Sequence, residues 1–309
     1  MRRSLQLTLG HPAWWAMALA AFLMRGGILV IAIPVVALPS LAALSAVVAP
    51  LLSGVALGDS PIPPIALLAG TAALVSALVF VTGLVGAWLD VALFGATSEA
   101  LGGTPPTGRA SLREALNARL TPHTITILAL GFAAFRLVTA GYEELTSPTT
   151  SPAPLVARIV AHAPEAVAAV VVAWLVAEAV GGVALRQYVA DGAPRTAGAA
   201  VVAGIRGLIR PGGIATLVIT DVVVIGLGVA LWLAASATWI RLADRLADRA
   251  TALDLGVALL AFIVAWLAGL LLLAAALAWR SASWTVESIR IARPRSVPAS
   301  VPEPAAEAA

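Results

Sequence analysis

The chain contains no cysteine in 309 residues. A disulfide, a thiolate nucleophile and a thiolate metal site are therefore excluded. Lysine is also absent, so all 19 basic residues are arginine. Together with the abundance of alanine, this reads as the mark of a GC-rich bacterial genome rather than of a special chemistry. Charge is scarce: 11% of residues are charged, and the net formal charge is only +3. The sequence pI of about 10.5 follows from arginines spread over many segments, not from a basic patch, and does not indicate nucleic-acid binding.

Histidine is nearly as rare, with three residues. His11 and His123 stand beside Pro12 and Pro122. His162 lies three residues before Glu165, but Pro164 intervenes and no second ligand pair accompanies it. A metal site is not expected. No phosphate-binding loop, no G-x-S-x-G nucleophile elbow and no H-E-x-x-H pair occurs. A Ser–His intramembrane protease would need both residues at similar depth within spans, and no histidine lies there. No cofactor and no enzyme activity are expected.

What the chain has in excess is apolar surface. Hydrophobic residues make up 61% of it, and the mean hydropathy is +0.98. A soluble fold of this length has too little interior for so much apolar surface, whereas a bilayer accepts it. The expected fold class is all-α, a polytopic membrane helical bundle. A spanning helix needs about 20 apolar residues. Runs of that kind fall near 13–37, 65–97, 124–143, 164–187, 213–239 and 255–279. The domain reading is a cytoplasmic N-terminal segment over 1–12, a six-span membrane domain over 13–285, and a Pro- and Ala-rich disordered cytoplasmic tail over 286–309.

Arg2 and Arg3 ahead of an apolar run resemble a signal peptide. That run is too long for a signal core, Arg25 stands inside it, and no small-x-small cleavage site stands apart. It reads as an uncleaved first span. Orientation follows from arginine placement. Thirteen arginines fall at the N-terminus, in the loops near 99–121 and 186–210, and after Leu277; four, Arg158, Arg241, Arg245 and Arg249, fall on the opposite side. The positive-inside rule puts both termini in the cytoplasm of a bacterial plasma-membrane protein. The segment 41–57 is apolar enough for a seventh span, but that would break the charge bias, and Pro39 and Pro50 punctuate it. It reads as re-entrant or interfacial, with a broken continuation of span 1 as the alternative.

The even spans end alike. The stretch from Val91, VALFGATSE, resembles VALRQYVAD from Val183 at an offset of 92, and LAWRSASWT from Leu277 follows at an offset of 94. The odd spans begin alike at Pro12, Pro122 and Pro211, where the first turn of a helix tolerates the missing N–H. Amphipathic helices are expected at 111–120, with Leu112, Ala115 and Leu116 on one face, and at 201–210, with Val202, Ile205 and Ile209. The chain thus reads as three parallel hairpin pseudo-repeats. Chance likeness between Ala- and Leu-rich spans is the plainer alternative.

The hairpin spacing, the proline-led odd spans and the loop GAPRTAGAAVVAGIRGLIRP resemble the six-span membrane domain found ahead of the catalytic domain in some bacterial glycerophosphodiester phosphodiesterases, and related stand-alone membrane proteins. The resemblance covers roughly 10–285 and implies a fold. It implies no activity, because no segment supplies that catalytic domain's histidines and metal-binding carboxylates.

Five ionisable residues fall within spans: Arg25, Asp90, Arg136, Glu178 and Asp221. Each is costly in the hydrocarbon, so each is expected to face the bundle interior and to pair. Arg25 lies 13 residues past Pro12 and Arg136 lies 14 past Pro122, about 20 Å along their helices. One reading is an intramembrane polar network in which Arg25 and Arg136 contact an anionic lipid head group or a small anion. The other is a set of ion pairs that fixes helix register.

Gly83, Gly86, Gly181, Gly182, Gly226 and Gly228 are expected at close helix contacts. Trp14, Trp15, Tyr188, Trp279 and Trp284 are expected in an aromatic belt at one interface, and Tyr142 and Trp239 at the other. The expected function is a transport-related, lipid-handling or membrane-organising role. The alternative is an assembly subunit that binds another membrane protein through its cytoplasmic helices. The expected partner is the lipid bilayer, and no nucleic acid is expected.

Overall fold

Proline opens most of the long helices, because the first helical turn has no use for an N–H and a fixed φ pre-forms it. The computed structural model describes residues 2–28, 31, 64–103, 109–147, 150, 153, 155–190, 196–248 and 251–292. Of these, 94% are helical, with no strand. Helix α1 (Arg2–Gly10) is followed by α2 (Pro12–Phe22), which continues through a π-helical turn at Leu23–Gly27. Then come α3 (Pro64–Ala100), α4 (Arg109–Leu120), a 3-10 turn at Thr121–His123, and α5 (Thr124–Thr146). The chain continues through α6 (Leu155–His162), α7 (Pro164–Ala190), α8 (Ala197–Leu208), α9 (Pro211–Ala247) and α10 (Ala252–Ala292).

Five helical segments are long and apolar enough to cross a membrane: Ser76–Ala100, Ser111–Thr146, Pro164–Tyr188, Pro211–Leu246 and Ala252–Arg290. The count is six if α1 and α2, which meet at a 97° bend, form one span. The expected spans at 65–97, 124–143, 164–187, 213–239 and 255–279 lie within α3, α5, α7, α9 and α10. The end of the first expected span and the whole of 41–57 lie outside the described residues. Residues 2–10, within the expected N-terminal segment, form a helix. One boundary shifts: α10 runs to Ala292, past the expected end of ordered structure at 285. Residues 293–309 lie outside the described part.

The core is built from small side chains. Ala21, Ala87, Ala115, Ala177, Ala184, Ala235 and Ala278 are fully buried, while Leu74, Leu128 and Leu253 are more than 70% exposed. This inverts the soluble pattern. Lipid tails are as apolar as leucine, so helix association rests on close packing of small residues while large side chains face the hydrocarbon. α10 is the hub and packs against α1, α2, α3, α7 and α9. α7 packs against α4, α5, α8 and α10. Among the described residues α7 and α9 share no extended contact.

The helices at the arginine-rich end are tied down by polar contacts between elements. Ser4 on α1 and Ser283 on α10 share a 3.0 Å hydrogen bond, and Thr97 on α3 and Thr285 on α10 share one of 3.2 Å. Beside them, Val91, Phe94, Ala115, Ala118, Leu185, Tyr188 and Ala200 form one cluster from α3, α4, α7 and α8. Trp14, Tyr188 and Trp284 are buried inside the protein, so these three pack the core instead of joining the expected belt. The expected glycine contacts also divide. Gly86 and Gly181 stand at tight approaches, whereas a Cβ on Gly83, Gly226 or Gly228 would meet nothing within 4 Å.

Candidate functional site

The site begins with a break in a helix. Arg25 has φ −88° and ψ 20°, and Gly26 has φ 104°, which interrupts α2 within its π-helical turn. Glycine accepts that left-handed conformation without a Cβ clash. The break frees backbone groups that lipid cannot satisfy, so protein must satisfy them. The indole N–H of Trp174 on α7 donates to the carbonyl of Arg25 at 2.6 Å.

The side chain of Arg25 then enters a four-membered ring of alternating charges. Its Nε and Nη2 donate to the two oxygens of Glu178 at 2.8 and 3.1 Å. Its Nη1 donates to the carbonyl of Gly86 at 2.9 Å and lies 3.3 Å from Asp90. Arg119, at the end of α4, closes the ring with Nε on Asp90 at 2.6 Å and Nη2 on Glu178 at 2.7 Å. The four side chains are 7%, 12%, 1% and 9% exposed for Arg25, Asp90, Arg119 and Glu178. Each arginine touches both carboxylates, so the ring is internally neutral. Neutrality and dense hydrogen bonding make four buried charges tolerable. Arg119 carries only donors, so Nε2 of His123, 3.1 Å from its Nη1, is the acceptor.

Two glycines let the ring form. A Cβ on Gly86 would lie 2.6 Å from Cγ of Arg25 and 2.9 Å from the carbonyl of Ala21. A Cβ on Gly181 would fall on the Nη1 and carbonyl of Arg119.

A second polar group adjoins the first. Arg280 on α10 is paired with Asp221 on α9. Arg186 on α7 is buried and hydrogen-bonded, but only to neutral oxygens. Its Nη2 donates to the hydroxyl and carbonyl of Ser281 at 2.7 and 3.1 Å, its Nε to Thr285 at 3.3 Å, and its Nη1 to the carbonyl of Gly182. Its guanidinium also lies 5.8 Å from the centre of the Phe94 ring. Among the described residues no carboxylate forms an ion pair with it.

Both groups face one cavity of about 720 Å³. Among the described residues, four arginines (Arg25, Arg119, Arg186, Arg280) and three carboxylates (Asp90, Glu178, Asp221) line it, an excess of one positive charge. The remaining wall is largely apolar and comes from α2, α7, α9 and α10.

Of the five residues expected to form a network, Arg25, Asp90 and Glu178 meet in the ring. Asp221 lines the same cavity with a different partner. Arg136 does not join them. It pairs with Glu165 at 2.7 Å on α5 and α7, where the two side chains are 38% and 45% exposed. Its face of α5 is turned away from the cavity, so equal depth along a helix did not bring it to the ring. Arg119, His123, Arg186 and Arg280 complete the site, although by sequence they fall in loops or at helix ends. Helical spacing carried a signal for each arginine. Arg119 follows Leu112, Ala115 and Leu116 on the apolar stripe of α4. Arg186 lies two i+4 steps from Glu178. Arg280 continues the stripe of Leu273 and Leu277. Among the described residues no group of three or more His, Asp or Glu could hold a metal ion.

The fold and site therefore define a helical membrane-type protein with an internal, net-cationic cavity. Comparison with family models, curated proteins and solved structures finds no match.

Proposed function

We propose that this chain is a six-span protein of the bacterial plasma membrane that takes an anionic ligand into its intramembrane cavity, in a lipid-handling or transport-related role. The observation that carries this is Arg186, a buried cation with no carboxylate in an ion pair with it among the described residues, on the wall of a cavity whose described lining carries one excess positive charge. A guanidinium so placed suits phosphate or carboxylate. The two termini lie in the cytoplasm by the arginine bias. The three-hairpin plan is supported by α1, α4 and α8. Each precedes a proline-led helix or turn, and each packs on the end of α3, α7 or α10. The resemblance to the phosphodiesterase-linked membrane domain concerns this layout alone.

The test uses the absence of native cysteine. Single cysteines at Ala179 and Gly228, on the cavity wall, are compared with one at Leu128, which faces outward. A membrane-impermeant thiol reagent is applied to intact cells and to inside-out vesicles. Labelling of the two wall positions but not of Leu128 is the expected outcome. Protection of both wall positions from both sides, in folded protein, sinks the cavity reading.

A second reading has its own observation. Val202, Ile205 and Ile209 of the α8 segment are exposed, while α8 packs on α7 through Ala200, Gly204 and Gly207. A free apolar face at the arginine-rich end suits a protein partner. Under that reading, Ile205→Asp abolishes assembly while thiol labelling of the cavity is unchanged.

A further inference from the structure

The cavity wall formed by α7 and α9 bears on what kind of anion fits. Both helices wall the cavity, yet among the described residues they share no extended contact. Val171, Leu175 and Val176 on α7 and Ile225 and Val229 on α9 line it, and all five are exposed. Apolar side chains left this exposed on a membrane bundle suit contact with lipid tails. A small anion has no use for such a wall, and a purely apolar ligand has no use for the arginines.

The two chemistries are arranged along one axis. Arg186, Arg280 and Ser281 line the cavity at one end, with Val171 and Leu175 toward the other. From Arg186 back to Val171 is 15 residues of one helix, about 22 Å. One leaflet of a hydrocarbon core about 30 Å thick is half that core, so an acyl chain of one leaflet can lie along this wall. At the polar end, donors remain. Guanidinium carries five N–H groups, and the contacts of Arg186 use four of them. The Ser281 hydroxyl accepts from Arg186 and still has its own hydrogen to donate. Arg280 engages Asp221 through Nε and Nη2, and the rest of its fork is left for another acceptor.

We infer that the cavity binds a phospholipid with an anionic head group, which enters sideways from the bilayer between α7 and α9. Its phosphate is held by Arg186, Ser281 and Arg280, and an acyl chain lies against Val171, Leu175 and Val229. This rests on the reading that the cavity takes an anionic ligand, and it adds the ligand class and the route. Gly228 lines the α9 wall, and a Cβ there meets nothing within 4 Å, so a side chain added there starts into open space.

The experiment measures thermal stabilisation of the full purified chain in mild detergent, since a ligand that binds only the folded state raises its stability. Three probes are titrated separately: phosphatidylglycerol, phosphatidylcholine with the same acyl chains, and inorganic phosphate. Phosphatidylglycerol is expected to bind about tenfold or more tightly than phosphatidylcholine, because both carry the phosphate but the choline cation is repelled by the arginines around it. Arg186→Gln is expected to weaken phosphatidylglycerol by a similar factor. Gly228→Trp is expected to weaken both lipids while leaving inorganic phosphate unchanged. If Arg186→Gln does not fold, Gly228→Trp and the contrast between the two lipids carry the test. Binding of phosphate but of neither lipid overturns the lipid inference and leaves the anion cavity standing. Binding of no probe overturns both. Equal binding of the two lipids overturns the selectivity for a lipid of net negative charge. Unchanged lipid binding in a folded Gly228→Trp variant overturns the lateral route.

Discussion

Arg25 and Arg136 stand 13 and 14 residues past the prolines near the starts of their helices, yet they meet opposite fates. Arg25 lies at a helix break, buried against two carboxylates and a backbone carbonyl. Arg136 lies on an unbroken stretch of α5, paired only with Glu165 and more than a third exposed. Depth along a helix is therefore a poor guide to environment. Rotation about the helix axis decides which face a charge presents, and the neighbours on that face decide its partners. The buried arginine ties its own helix to α3 and α7, and the exposed one joins two helices.

The largest expected effect comes from taking a carboxylate out of the ring. Glu178→Ala leaves Arg25 and Arg119 sharing Asp90 alone in a buried site. Removing one partner of a buried ion pair costs about 3–5 kcal/mol, so the unfolding midpoint in mixed detergent should fall sharply. A variant as stable as the parent would mean that water or a ligand, rather than Glu178, neutralises the arginines.

A second prediction sharpens the contrast between packed and open faces. Gly86→Ala places a methyl 2.9 Å from the carbonyl of Ala21 and closer still to Arg25. Overpacking of this kind costs about 1–3 kcal/mol. Gly83→Ala, one turn earlier on the same helix, meets open space and gains helix propensity instead. Paired melting curves check the difference, and equal curves would break the assignment of Gly86 to the α2–α3 contact.

The smallest effect belongs to Arg136→Ala. Its pair is exposed, so the melting curve should stay near that of the parent and far above that of Glu178→Ala. Glu165 stands in the first turn of α7, so the pair lies at a helix end where interfacial water reaches it, and such exposed pairs contribute little. A loss comparable to Glu178→Ala would show that burial was the wrong criterion for separating the two arginines.

The places of five long apolar helices were legible because hydropathy is a local property, summed over neighbours in the chain. So were the proline-led helix starts, since a missing N–H acts on its own turn. Three ring residues, Arg25, Asp90 and Glu178, stood out because charge in an apolar run is itself a local anomaly. Arg119, Arg186 and Arg280 did not, since each lies near a helix end where an arginine is unremarkable. Their helical spacing from Leu112, Glu178 and Leu273 was the overlooked clue. The burial of Trp14, Tyr188 and Trp284 was hidden for a similar reason: position near an interface does not say whether a ring faces lipid or protein.

The sequence by itself determined the solvent this chain is built for, because 61% hydrophobic residues need a medium that does not expel them. It also determined the helical backbone, the only open-ended structure whose polar groups are satisfied within one segment of such a medium. Only the tertiary structure decided which charges meet. Arg25 and Glu178 are 153 residues apart, and their contact depends on a break at Gly26, a missing Cβ at Gly86 and the arrival of α4 with Arg119. Each is a long-range steric or electrostatic condition on several helices at once, and no local pattern in the chain encodes their coincidence.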